Sequence, residues 1–74
     1  MVYKVDFLWD EDASVWIATS NDISGLVLES GSFDALVEKV KTAIPELLEL
    51  NGETPNAIKI KYSAQREDQV VAYG

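Results

Sequence analysis

Residues Val2 to Trp9 alternate so that Tyr3, Val5, Phe7 and Trp9 share one face of an extended segment and Val2, Lys4, Asp6 and Leu8 the other. A period of two predicts a β-strand. Val15 to Thr19 and Leu26 to Ser30 read as two further strands, rich in β-branched and apolar residues. Between the first two, Asp10 to Ser14 offer short polar side chains that hydrogen-bond their own backbone, which predicts a hairpin turn. Asn21 to Gly25 make the next connection, with Gly25 free to take a positive φ. Together the three strands form an antiparallel meander.

The period changes after Gly31. Phe33, Leu36, Val37, Val40, Ile44, Leu47 and Leu48 recur at helical spacing, with Glu38, Lys39, Lys41, Glu46 and Glu49 on the opposite side. Ser32 is placed to cap this helix, because its hydroxyl can accept from a backbone N–H one turn in, and Asp34 puts negative charge where the helix dipole favours it. Pro45 removes a ladder bond and crowds the carbonyl of Lys41, so a kink or a broken second half is expected. Asn51-Gly52 is the stop signal. Ala57 to Tyr62 then alternates strictly, with Ile58, Ile60 and Tyr62 inward and Lys59 and Lys61 outward, as a fourth strand. Val70 to Tyr73 is either a short fifth strand or a tail. The fold class is α+β, a β-β-β-α-β order in one domain covering residues 1–74, with one amphipathic helix on one face of the sheet.

A single helix covers a single face. The hairpin register has two parities: if Trp9 lies opposite Trp16, Val15 and Ile17 join Leu8 and Val2 on the far side, and a one-residue slip sends Trp16 and Ala18 there instead. Either way apolar groups remain on both faces. Contiguous exposed apolar patches mark interaction sites, so the uncovered face, or the sheet edge beside it, is expected to dock another chain through Leu8, Trp9, Val15, Trp16 and Ile17. The alternative is that the second half of the helix and the C-terminal segment fold over that face.

Composition narrows the chemistry. The chain has 74 residues, no cysteine and no histidine. Those absences remove disulfides, thiolate metal sites, most zinc sites and any histidine general base. At 47% hydrophobic residues the chain is expected to be globular. A net charge of −7 repels phosphate backbones, so direct binding to nucleic acid or an anionic membrane is not expected, and a basic protein is the natural complement. No basic leader precedes a long apolar run, and no stretch approaches the ~20 apolar residues that span a bilayer, so a cytoplasmic location is the expectation.

Four constellations could carry other functions. Asp6, Glu29 and Glu38 resemble the scattered carboxylates of a Mg²⁺-dependent nuclease, which must converge within about 4 Å of the ions. Asp6 is expected to face inward and Glu38 lies on the polar side of the helix, so a solvated acidic face is the better reading, and no catalytic, metal or cofactor residue is assigned. Asp10-Glu11-Asp12 begins like a calcium loop but lacks its glycine and its bidentate glutamate. Trp9 and Trp16 could stack bases, yet the cationic groove of single-strand binders is missing. Lys59 and Lys61 read as edge lysines that discourage strand pairing.

The stretch from Trp9 to Asn51 resembles a small bacterial family of uncharacterised domains in the HicB-like antitoxin superfamily. The residues that carry the match are Trp9-Asp10, Val15-Trp16-Ile17-Ala18-Thr19-Ser20, Asp22-Ile23-Ser24-Gly25-Leu26-Val27, Glu29 and Pro45-Glu46-Leu47-Leu48-Glu49-Leu50-Asn51. Ser24 replaces the family's usual proline in the Asp-Ile-Pro-Gly loop. The resemblance implies a partial RNase H-like fold that binds and masks a small basic mRNA-interferase toxin. Such antitoxins usually add a C-terminal DNA-binding element, and the residues after Tyr62 are too few for one, which leaves autorepression outside the expectation. The expected function is a non-catalytic protein-interaction domain of antitoxin type that also forms a homodimer. The alternatives are a minimal Mg²⁺-dependent RNase H-like nuclease and a structural homo-oligomeric subunit.

Overall fold

In the computed structural model, which describes residues 2–73, the meander consists of β1 (Val2–Asp10), β2 (Val15–Thr19) and β3 (Val27–Ser30). Helix α1 (Phe33–Leu50) and strand β4 (Lys59–Gln65) follow. The sheet order is β3-β2-β1-β4, antiparallel except for the parallel pair β1–β4. The helix therefore carries the chain from one edge of the sheet to the other.

Local chemistry fixes each connection. Asp10 Oδ1 accepts from the N–H groups of Asp12 and Ala13 at 3.0 and 3.2 Å, closing the hairpin turn, and Ser14 takes a φ of 54° at its end. Trp9 pairs with Trp16 and Leu8 with Ile17, which settles the register. In the next loop Ser20 Oγ donates to the Lys4 carbonyl at 2.6 Å and accepts from the N–H groups of Asp22 and Ile23. The Lys4 N–H donates in turn to Asp22 Oδ2 at 2.8 Å, so side chains complete the ladder of β1 where β2 has ended. Gly25 has a φ of 86°. Ser32 caps the helix, accepting from the Ala35 N–H at 3.3 Å. At the other end the Glu53 N–H reaches the Leu48 carbonyl and the Gly52 N–H reaches Glu49, with Gly52 at a φ of 80°, a Schellman closure.

The core lies between one face of the sheet and the helix. Tyr3, Val5, Phe7 and Ala18 from the strands meet Leu36, Val40, Ile44 and Leu48 from α1, with Ile23 and Leu26 plugging the loop end. The helix lies against β2 and β3 rather than β4.

Several expectations need correction. The helix is unbroken through Pro45, because Ile44 and Leu48 on either side are fully buried and Pro45 itself faces solvent. Burial of that stripe outweighs the lost ladder bond. Leu26 belongs to the loop, where its N–H meets the Ile23 carbonyl, and β3 begins at Val27. The fourth strand starts at Lys59 rather than Ala57 and runs to Gln65, held by parallel pairing along Val2 to Leu8. Residues 66–73 form no strand and lie exposed. The whole helix stays on one face, so neither its second half nor the C-terminal segment covers the other.

Candidate protein-interaction face

Strand alternation and the observed register decide which side chains reach the uncovered face. Leu8, Asp6, Lys4 and Val2 project there from β1; Val15, Ile17 and Thr19 from β2; Val27 and Glu29 from β3. Leu8 is 51% exposed and Val27 69%, while Ile17 between them is half-buried. Leu8 stands directly opposite Ile17, and Val27 lies diagonal to it across the β2–β3 pair, so the three form one apolar strip. Val15 extends it toward the hairpin. Of the expected docking residues, Leu8, Val15 and Ile17 belong to this strip.

Trp9 and Trp16 do not. Both lie on the helix side, where they form the outer end of an aromatic series: Trp9 packs on Trp16 (5.5 Å between centroids), Trp16 on Phe33 (5.1 Å), and Phe33 on Phe7 (4.9 Å). The Arg66 guanidinium sits 4.0 Å above the Trp9 ring, and the Trp9 Nε1–H donates to Glu11 Oε2 at 2.6 Å. The indoles thus close the end of the core at the N-terminus of the helix. Val27 is the member of this strip that sequence reasoning missed. Leu26-Val27-Leu28 is a continuous apolar run, and without the register nothing in it says which residue faces out.

Apart from Val2, the rest of the open face is polar. Asp6 lies there, not inward as expected, in a hollow of about 300 Å³ that it lines with Lys4, Thr19, Asn21, Ser63 and Gln65. Glu29 shares that face two strands away, whereas Glu38 is on the helix, on the far side of the sheet. The three carboxylates are not brought together, and among the described residues no group of three acidic side chains is placed to hold a metal ion. Lys4 pairs in register with Lys61, and Lys59 stands beside Val2, so half of the chain's six basic residues collect at one corner of this face.

On the helix side, a groove of about 470 Å³ runs between α1 and the β3 edge, with Leu28, Ala35 and Ala43 in its floor and walls. Lys39 Nζ crosses it to the Glu29 carbonyl at 3.3 Å, satisfying one outward group of that edge strand. At the opposite end of the core the Tyr3 hydroxyl is 3.5 Å from Glu53 Oε1. Burial, then the Glu53 and Asp22 carboxylates, hold this phenol above its ordinary pKa. Among the described residues no helix is long and apolar enough to cross a membrane.

The family model described as Domain of unknown function (DUF1902) matches residues 2–73, and the chain belongs to that family. The fold is shared with the crystal structure of a hypothetical protein, TTHA1013, from the extremely thermophilic bacterium Thermus thermophilus, at 35% identity and a TM-score of 0.81. The match covers 95% of this chain and 100% of that one. No curated protein matches the chain.

Proposed function

We propose that this member of the family is a non-catalytic, HicB-like interaction domain of antitoxin type, cytoplasmic, whose open sheet face receives a basic partner protein. One observation carries the reading: the only helix among the described residues covers one face, and Leu8, Ile17, Val15 and Val27 form an apolar strip on the other. Such a strip, rimmed by polar groups, has the makeup of a docking site. The net charge of −7 favours a cationic partner and speeds encounter with it, while Glu29 beside the strip gives a local anchor for a lysine or arginine. The resemblance of Trp9 to Asn51 to HicB-like antitoxins names a small basic mRNA-interferase toxin as the class of partner.

The test is recovery of a bound protein by the tagged full chain in its native host, comparing wild type with Ile17→Lys. A small basic protein that accompanies the wild type and is lost with Ile17→Lys supports the reading. Equal recovery by both chains, or a recovered partner that is acidic, overturns it.

A further inference from the structure

The edge of the sheet formed by β4 is open, and after the polar residues Arg66 to Gln69 the exposed segment that follows it ends in an apolar run. Val70 is 87% exposed and Tyr73 93%, in a Val-Val-Ala-Tyr run of high strand propensity. The family match extends to residue 73, so this segment travels with the domain. Lys59, Lys61 and Glu67 have no ion-pair partner among the described residues. The helix leans toward the other edge, so Ile60 and Tyr62 on β4 are only half-covered.

We propose that β4 pairs antiparallel with β4 of a second copy of this chain, joining two four-stranded sheets into one. Main-chain direction allows it. Lys4 turns its N–H and carbonyl toward Asp22 and Ser20 on the β2 side, so by alternation Tyr3, Val5 and Phe7 turn theirs toward β4. Within that parallel pair Lys59, Lys61, Ser63 and Gln65 bond to β1, and Ile60, Tyr62 and Ala64 present theirs at the free edge. Arg66 continues the alternation, since its side chain lies on the helix side over Trp9.

A two-fold axis at Ala64 satisfies these groups and the charges together. It sets Lys61 opposite Glu67 on the open face, Tyr62 opposite Arg66 on the helix side, and Ile58 opposite Val70, each contact occurring twice. Directly opposed unlike charges attract, and Lys61–Glu67 falls at a non-hydrogen-bonded position, where side chains are closest. The edge lysines that discourage unselective strand pairing thereby select this one register. Each copy's exposed Val70 gains an apolar neighbour on the other. This surface is separate from the face assigned to the partner protein.

The test is sedimentation of the full chain from micromolar to millimolar concentration, with far-UV circular dichroism to confirm folding. Wild type is expected to dimerise, Lys61→Glu to weaken the dimer roughly tenfold or more, and the double variant Lys61→Glu/Glu67→Lys to recover it. Because the chain has no cysteine, a nitroxide on Ala64→Cys adds a direct reading, and strong dipolar broadening between copies is expected. A monomer throughout, a dimer indifferent to Lys61→Glu, failure of the swapped pair to recover it, or no broadening at residue 64 overturns the proposal. Loss of the dimer on Ile17→Lys, with Lys61→Glu silent, would place self-association on the open face instead and also overturn it.

Discussion

Pro45→Ala tests whether burial alone holds the second half of the helix in place. Pro45 is exposed, so its ring contributes no core packing, and alanine there would restore an N–H aimed at the Lys41 carbonyl. In a helix interior proline is about 3 kcal/mol worse than alanine. Against this, proline restricts the unfolded chain, an advantage of about 0.4–1 kcal/mol that the substitution forfeits. The net expectation is stabilisation by about 2 kcal/mol. A domain of this size has a total stability of roughly 4–11 kcal/mol, so the change is a large fraction of it and raises Tm by about 8–15 °C. Urea unfolding followed by circular dichroism should show a higher midpoint with an unchanged slope, since the same surface is exposed. An unchanged or lower midpoint would refute the reasoning, because it would mean that residues 45–50 form a separate turn for which proline is the favoured first residue.

Other substitutions probe the remaining supports. Leu48→Ala, at a position that is 1% exposed beside Pro45, should cost about 2–5 kcal/mol and leave a chain partly unfolded at room temperature, read by thermal melting. Ser32→Ala removes the acceptor for the Ala35 N–H and should cost about 0.5–2 kcal/mol in urea titration. The Tyr3 phenol, raised above its ordinary pKa by burial and then by Glu53 and Asp22, stays protonated in the folded chain at pH values where the unfolded chain ionises. The contribution of this group to stability should be complete below about pH 10 and be lost as pH rises beyond it, with a smaller alkaline loss in Tyr3→Phe. Denaturation series on both chains at rising pH measure the difference.

The elements that the sequence specifies locally are the ones it makes legible. The period-two run from Tyr3 to Trp9, the period-3.6 run from Phe33 to Leu48, the Ser32 cap and the Asn51-Gly52 stop each fall where the structure has them. What local pattern cannot carry is the outcome of a competition between distant groups. Pro45 breaks helices in isolation, and only the sheet surface beneath Ile44 and Leu48 overrules it. Asp6 and Leu8 alternate with core residues on β1, so their exposure depends on which face the helix chooses. Trp9 and Trp16 are apolar enough for either face; on the inner one Trp16 packs on Phe33, at the first turn of the helix, and Trp9, opposite it in register, packs on Trp16.

The two proposed surfaces are compatible in space, and that has a measurable consequence. The strip on Leu8, Ile17 and Val27 is centred on β2, two strands and thus about 10 Å from the β4 edge, so strand pairing there leaves it uncovered. Joining two β4 edges by a two-fold axis normal to the joined sheet would set two such strips on the same side of one eight-stranded sheet. A partner that is itself dimeric would then meet two sites at once, and its second contact would become intramolecular. Breaking the β4 pair should weaken capture of a dimeric partner by the multivalency factor while leaving the affinity of each face for a monomeric partner unchanged. Titration of Lys61→Glu against monomeric and dimeric forms of one partner separates these. Equal weakening for both would mean that the edge and the face form one continuous site.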